Sequence, residues 1–215
     1  WIYAIVSDGD MMEGISHESA SLAGHLGLDN LVYLYDDNVI SSEGSTDLSI
    51  TEDVAARFRA YRWHVQEIDG HDIDAIDAAL RAAKAARGQP HLIFCHTHIG
   101  YGSPNLQDSP EAHGTPLGED EIRLTKEALG WPSLEPFFVP DDVVARYRLA
   151  VPQGELLEAR WRELLSKYSQ AYPEQAKEFR RTLNATLPEH WEQALPYFRP
   201  DGGPVAIRTA SGKVL

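Results

Sequence analysis

The sequence predicts an α/β fold, a parallel sheet with crossover helices followed by a helical segment and a linker. Through about residue 130, four short apolar runs alternate with amphipathic helical stretches, a pattern typical of parallel strands joined by helices. The chain has 215 residues, of which 43% are hydrophobic and 24% charged. These values are those of a globular chain long enough for one large domain, or for a domain and part of a second.

The four apolar runs are the predicted strands, at residues 1–6, 31–35, 64–68 and 91–95. Helices are predicted at 15–26, 73–87 and 119–129, and the second repeats Ile73, Ile76 and Leu80 at helical spacing. Thr51 precedes two acidic residues and an apolar-periodic run, so we expect it to be a helix N-cap. Strands and helices thus alternate in the order that a parallel sheet requires.

The pattern changes to helical at residues 152–187, where Trp161, Leu164, Leu165 and Tyr168 form one stripe that we expect to pack in a core. Residues 188–204 are rich in Pro, Gly and aromatic residues, as in a linker, and 205–215 would begin a further element.

The net charge of −14 disfavours a nucleic-acid or anionic-membrane surface, because the summed field repels phosphate groups. No apolar run is long enough to cross a bilayer. The single cysteine, Cys95, permits no internal disulfide, so we expect a reducing, cytoplasmic location. The first strand follows no initiator Met or signal sequence, and we expect the chain to continue upstream.

Polar residues follow the first two predicted strands, SDGD at 7–10 and YDDN at 35–38. Ligands of open α/β sheets bind outside the carboxyl ends of the strands, where a glycine turn allows close approach to phosphate. Adjacent parallel strands would bring Asp8 and Asn38 together, and carboxylate and amide oxygens suit magnesium. An Asp-Gly turn alone is more often a plain strand-to-helix connection.

Asp8 followed by Asn38 about one βα unit later resembles the thiamine-diphosphate fingerprint, in which Gly-Asp-Gly is followed by Asn. Other segments are similar, in the same order, to the transketolase family: MEGISHE (12–18), SLAGHLGL (21–28), FRAY (58–61), IGYGSPN (99–105), HGTPLG (113–118), LGWP (129–132) and RTAS (208–211). The resemblance covers essentially the whole chain and implies the thiamine-diphosphate-binding fold.

The resemblance implies a magnesium site made by Asp8, the side chain of Asn38 and the backbone carbonyl of Ile40. Gly9 would donate its N–H to the cofactor diphosphate, which Asn38 would also contact. The cofactors implied are thiamine diphosphate and Mg²⁺, for which Ca²⁺ or Mn²⁺ can substitute. Ser7 stands where the family has its first glycine, and a positive φ there would strain it.

Three more residues receive roles from the resemblance. Glu13 would lie at the subunit interface and help link the two cofactor sites, and His113 would be the catalytic histidine that contacts both cofactor and substrate. Arg208 would bind the sugar phosphate, since a guanidinium suits a phosphate dianion.

The activity implied is transfer of a two-carbon ketol unit from a ketose phosphate to an aldose phosphate, in the pentose phosphate pathway. The family is homodimeric with its active sites at the subunit interface. The resemblance divides the chain into a diphosphate-binding domain (1–187), a linker (188–204) and the start of a pyrimidine-binding domain (205–215). We therefore expect this piece to anchor cation and diphosphate and to be inactive alone.

Several alternatives remain at the level of sequence. Other thiamine enzymes share the metal turn: a dihydroxyacetone synthase, a phosphoketolase or a deoxyxylulose-phosphate synthase. The chain could also be a non-catalytic cofactor-binding or dimerisation chain of a split enzyme, or an unrelated nucleotide-binding domain. His96 and His98, near Cys95, resemble a zinc pair on one strand face, although a sheet-end histidine pair is the favoured interpretation.

Overall fold

The computed structural model describes residues 1–42 and 44–215. These residues form two compact units, Trp1–Phe138 and Val139–Leu215. The predicted boundaries of a diphosphate-binding domain, a linker and a further domain remain predictions.

The first unit is built on a four-stranded sheet whose paired strands are all parallel. Its strands are β1 (Ile2–Ser7), β2 (Leu31–Asp37), β5 (His64–Asp69) and β6 (His91–His96), in the spatial order β1-β2-β6-β5. A small antiparallel hairpin, β3 (Ile40–Ser41) with β4 (Gly44–Ser45), follows β2. The predicted α/β fold with a parallel sheet is confirmed. Each predicted strand begins and ends within two residues of an observed strand.

The described part of the first unit contains the α-helices α1 (Asp8–Met12), α2 (Gly14–Leu26), α3 (Val54–Ala60), α4 (Ile73–Ala85), α5 (Glu111–Gly114) and α6 (Glu119–Ala128). The prediction that Thr51 caps α3 is wrong. Asp53 is the N-cap, and its carboxylate accepts a hydrogen bond from the Ala56 N–H at 2.8 Å. The helix begins there because this carboxylate satisfies one of its first unpaired N–H groups.

Alternation along β2 and β6 builds a core on each face of the sheet. Leu92 and Phe94 face one cluster, whereas Ile93 and Cys95 face the other. The first cluster is aromatic, and the rings of Tyr35 and Phe94 meet edge to face with centroids 4.6 Å apart. Burying each large apolar side chain contributes about 1.5–3 kcal/mol, so the two central strands are the best anchored part of the sheet.

The second unit is helical, with α7 (Asp141–Arg148), α8 (Ala150–Ala171), α9 (Pro173–Leu183) and α10 (Ile207–Val214). Helix α8 packs against α9, and Pro173 begins the second helix at a position where no N–H is needed. The expected core position of the 161–168 stripe is wrong, because Trp161 and Leu164 are 48% and 66% exposed. Among the helices of the described ranges, none is both long and apolar enough to cross a membrane.

Candidate functional site

The carboxyl ends of the four parallel strands meet at one edge of the sheet. The register pairs Ser7 with Asp36, and both Asp37 and Asp69 with His96. The loops that follow the strands are tied to this edge, since the Gly70 N–H donates to the His96 carbonyl at 2.8 Å. Asp8 and Asn38 follow the ends of neighbouring strands and therefore lie at this same polar edge, as the sequence predicted.

Asp8 is the first residue of α1, and its side chain is buried with only 4% exposed. Its Oδ1 accepts a hydrogen bond from the hydroxyl of Tyr35. Its Oδ2 is also buried, and no hydrogen-bond partner for it exists in the described part of the chain. Burial raises the pKa of Asp8 above its usual value; the Tyr35 bond opposes this rise, and the nearby Asp37 and Asp36 charges add to it. Burial without a partner for Oδ2 disfavours the ionised form of Asp8, and a positive charge beside this oxygen would favour it.

Asn38 follows β2 in a tight turn, where Val39 has a positive φ of 57°. The Asn38 Oδ1 accepts from the Ile40 N–H at 3.0 Å, and its Nδ2 donates to Asp36 Oδ2 at 3.1 Å. Because α1 lies against β3, Ile40 is brought to the helix that carries Asp8.

An amide oxygen accepts two hydrogen bonds, so Asn38 Oδ1 retains a lone pair beyond its bond to the Ile40 N–H. One carboxylate oxygen, one amide oxygen and one backbone carbonyl are the hard donors that Mg²⁺ prefers. The unpartnered Asp8 Oδ2 is a buried oxygen that such a cation would satisfy.

The segment at 7–10 forms the start of helix α1 instead of a glycine turn. Ser7 has an extended backbone with φ −123°, so serine is unstrained at this position. Asp10 Oδ2 accepts from both the Ser7 N–H, at 2.8 Å, and the Ser7 hydroxyl, at 3.0 Å. Gly9 is exposed at the second position of α1, where its N–H precedes the intrahelical hydrogen bonds. The N–H of Gly9 is thus available to a ligand at this edge.

Two histidines, at the end of β6 and in the loop that follows it, lie beside carboxylates. His96 Nδ1 lies 2.7 Å from Asp37 Oδ2, and His98 Nδ1 lies 2.9 Å from Asp108 Oδ1. The bond from His98 lowers the pKa of Asp108. These residues line an open cavity of about 580 Å³. Strand β6 ends at His96, so His98 shares no strand face with it, and residues 1–42 and 44–215 contain no group of three His, Cys, Asp or Glu arranged to hold a metal.

A second buried carboxylate holds the Gly-Ser-Pro-Asn loop at residues 102–105. Glu121, on α6, accepts from the Ser103 hydroxyl and from both the backbone and side-chain nitrogens of Asn105, the latter at 2.9 and 2.8 Å. Hydrogen bonds from Asn105 and then Ser103 lower the pKa of Glu121. The loop motif therefore has a structural role, since it fixes the path of the chain as it leaves the carboxyl edge.

The remaining predicted site residues lie on other elements. Glu13 is exposed between α1 and α2, and His113 is exposed on α5. Arg208 is exposed on α10, in the second unit. The roles expected for these three residues remain predictions from the resemblance.

Tyr35 is the site residue that sequence reasoning missed as a partner of Asp8. Its position in a β-strand explains the contact, because Tyr33 and Tyr35 project from the same face of β2. Tyr33 packs against Trp63 on that face. Tyr35 pairs with Val6, one residue before the end of β1, and its hydroxyl reaches Asp8. The period of two along β2, which places Tyr33 and Tyr35 on one face, was the signal that could have found it.

The fold and this edge define a class of protein, a parallel α/β domain. Its carboxylate and amide oxygens lie at the sheet edge where such domains bind small molecules. The sequence profile described as "Transketolase, thiamine diphosphate binding domain" matches residues 1–188. The chain belongs to the transketolase family, and the matched part is its thiamine diphosphate binding domain.

Individual relatives agree with this assignment. A transketolase of Geobacillus stearothermophilus is 46% identical over 217 aligned residues, covering 100% of this chain and 32% of the relative. One from Nostoc is 47% identical over 94% of this chain and 30% of the relative. A transketolase structure from Pichia stipitis, a complex with sedoheptulose 7-phosphate, superposes with TM-score 0.87 at 43% identity, over 99% of this chain and 32% of that one. The chain thus spans about a third of the length of these relatives.

Proposed function

We propose that this chain supplies the part of a transketolase that holds Mg²⁺ and the diphosphate of thiamine diphosphate. The observation that carries the proposal is the buried Asp8 Oδ2, which has no partner among the described residues. Asp8, Asn38 Oδ1 and the Ile40 carbonyl would bind the cation, and the Gly9 N–H would bind the diphosphate. The family match, which extends over the thiamine diphosphate binding domain, supports the cofactor.

The whole enzyme's activity is part of the same proposal. When bound, thiamine diphosphate supplies the carbon nucleophile for transfer of a two-carbon ketol unit between sugar phosphates. This chain's residues would bind and orient its diphosphate, while His113 would contact the substrate and Arg208 its phosphate. The Pichia stipitis complex with sedoheptulose 7-phosphate supports a sugar phosphate as substrate. We further propose that the whole enzyme is a cytoplasmic homodimer of the pentose phosphate pathway and that this piece is inactive alone.

Titration of thiamine diphosphate with and without Mg²⁺ tests the cation site, with the five tryptophans as fluorescent reporters. We expect binding that requires Mg²⁺. Asp8→Asn should weaken it by more than the roughly 10–100-fold that loss of an outer-shell partner costs. The exposed Asp77, which pairs with Arg81 on α4, offers a matched control, and Asp77→Asn should bind as the unaltered protein does.

The same variant has an opposite expected effect on stability. Replacing the Asp8 carboxylate by a neutral amide removes a buried charge that lacks a partner, so cation-free Asp8→Asn should unfold at the same or a higher temperature. Its loss of binding would then reflect a lost ligand and not an unfolded domain. Mg²⁺-dependent binding that survives in Asp8→Asn would refute the proposed cation site.

A further inference from the structure

Only one end of the Asn38 side-chain amide can bind a cation. The carbonyl oxygen Oδ1 has lone pairs for a cation, whereas the Nδ2 group only donates hydrogen bonds. Rotation by half a turn about the last side-chain bond exchanges the two ends with little change of shape. The contacts that fix this rotation therefore decide whether Asn38 can bind the cation.

Two contacts fix the orientation of the amide. Oδ1 of Asn38 accepts a hydrogen bond from the Ile40 N–H at 3.0 Å, and Nδ2 donates to Asp36 Oδ2 at 3.1 Å. In the reversed orientation, Nδ2 would face the Ile40 N–H and Oδ1 would face the Asp36 carboxylate. An ionised carboxylate has no hydrogen to donate, so both contacts would become repulsive. Asp36 thus opposes the orientation in which Asn38 presents Nδ2 in place of its oxygen.

Asp36 is itself held in place by its neighbours on the sheet. Its Oδ1 accepts a hydrogen bond from the hydroxyl of Thr97, which leaves Oδ2 for the amide. Thr97 follows β6, and its N–H donates to the Asp37 carbonyl at 3.1 Å. The backbone of Asp36 pairs with Ser7 of β1 on one side and with Cys95 of β6 on the other. The two carboxylate oxygens therefore have different donors, and the carboxylate has little freedom to rotate.

The next residue, Asp37, brings the same charge to this edge but makes a different contact. Its Oδ2 lies 2.7 Å from Nδ1 of His96, whereas Oδ2 of Asp36 bonds Asn38. Side chains of consecutive strand residues point to opposite faces of a sheet, which explains the difference. Asp37 is therefore a matched comparison for the charge of Asp36 without its hydrogen bond to the amide.

We propose that Asp36 is a positioning residue which, held by Thr97, keeps Oδ1 as the end of the Asn38 amide that is available to the cation. The inference rests on the proposed function, since it assumes that Asn38 Oδ1 binds Mg²⁺. A negative charge near the site attracts the cation whichever way the amide points. The test must therefore separate the hydrogen bond of Asp36 from its charge.

The test compares Asp36→Ala, Asp36→Asn and Asp37→Ala in the full chain. Each protein, with thiamine diphosphate in excess, is titrated calorimetrically with MgCl₂. In Asp36→Ala we expect Mg²⁺ affinity to fall about 10–100-fold, the usual effect of losing an outer-shell partner. Asp36→Asn loses the charge but keeps a carbonyl that accepts from Asn38 Nδ2. Its affinity should therefore be well above that of Asp36→Ala and close to that of Asp37→Ala.

The conservative variant separates positioning from charge and from a merely structural effect. An Asp36→Asn protein that loses as much Mg²⁺ affinity as Asp36→Ala would overturn the inference and leave the proposed cation site standing. Equal losses in Asp36→Ala and Asp37→Ala would overturn it as well, because only charge would then matter. If the unaltered protein binds no Mg²⁺, the proposed function fails and the inference fails with it.

A second measurement needs no change at Asp36 and so holds even if Asp36→Ala does not fold. In ¹⁵N NMR spectra, the Asn38 side-chain amide signals are assigned by their loss in Asn38→Asp. The hydrogen bonded to Asp36 should exchange with water more slowly than the amide hydrogens of Asn184, an exposed side chain. Thr97→Val, which removes the anchor of Asp36, should speed this exchange. Exchange at Asn38 as fast as at Asn184 in the unaltered protein would contradict the inference.

Discussion

Two buried titratable residues lie at opposite ends of the sheet, one at the proposed cation site and one away from it. Asp8 lies at the carboxyl edge, where an unpartnered oxygen suits a cation. His91 begins β6 at the opposite end and is fully buried, with its Nδ1 3.4 Å from Nδ1 of His64. Its Nε2 has no hydrogen-bond partner in the part of the chain described. Unlike Asp8, His91 lies away from the proposed ligand site, so its burial affects stability alone.

His91 should make the protein sensitive to mild acid. Burial, with His64 as a second cause, lowers the pKa of His91 below its ordinary value of 6.5. Between the lowered pKa and about pH 6.5, the unfolded chain binds more protons at this histidine than the folded chain does. The free energy of unfolding is therefore highest above about pH 6.5 and declines as the pH falls towards the lowered pKa. His91→Leu should flatten this decline, measured as melting temperature between about pH 7 and 5.

An exposed histidine provides the comparison for that experiment. His25→Gln, on the surface of α2, should retain the acid-dependent decline of the unaltered protein. An equally steep decline in His91→Leu would show that other groups cause the acid sensitivity.

Sequence reasoning located the polar edge but missed its internal contacts, for reasons visible at single residues. Asp8 and Asn38 could be placed together because parallel strands bring their carboxyl ends to one edge. The hydrogen bond from Tyr35 to Asp8 could not be predicted. It depends on the strand register and on the reach of the Tyr35 side chain, and the sequence specifies neither. The sequence suggested that serine at position 7, where the family has glycine, could be strained. In the structure the Ser7 hydroxyl donates a hydrogen bond to Asp10.

At the scale of elements, α2 is held against the turn between α3 and β5 by an unusually close approach. A Cβ on Gly24 would lie 1.8 Å from the Tyr61 carbonyl oxygen, so the glycine is required by space. Nearby, the Trp63 indole N–H donates to the Ala20 carbonyl at 2.8 Å. These contacts join α2 to the turn between α3 and β5.

Gly24→Ala should destabilise the protein despite the better helix propensity of alanine. The new methyl group collides with backbone, and overpacking of this kind costs about 1–3 kcal/mol, against a gain of roughly 0.5–1 kcal/mol from replacing glycine in a helix. Gly14→Ala is the control, because nothing lies within 4 Å of its new Cβ. We expect urea denaturation to show a net loss for the first variant and no loss for the second. Equal stability of the two would mean that the contact relaxes without strain.

Elements with strong apolar patterns were predictable, and those set by local polar contacts were not. All four sheet strands follow from apolar runs, and α4 from its 3.6-residue period. Helix α7 was missed because its sequence, DDVVARYR, lacks a wide apolar face. The start of α3 was misplaced because Asp53, two residues after Thr51, provides the capping oxygen.

At the scale of the whole molecule, the two units differ in how they bury their aromatic residues. In the first unit Phe58, Phe94 and Tyr35 lie in the core. In the second, Tyr147 and Tyr197 are 79% and 82% exposed. The sequence anticipated a change of character near residue 152, but it could not show that the compact units divide at Phe138, since compactness depends on contacts between distant residues.

Limited proteolysis with chymotrypsin should therefore remove the second unit and leave the first. Phe137, at the end of the first unit, is 100% exposed and adopts a left-handed φ of 60°, so its peptide bonds are accessible. We expect early cleavage there and in the second unit, and slow cleavage within the sheet, because proteases act on exposed and locally open backbone. Mass spectrometry should find a persistent fragment ending at Phe137 or Phe138. A persistent fragment that spans the boundary at Phe138 would show that the two units are protected as one, against this expectation.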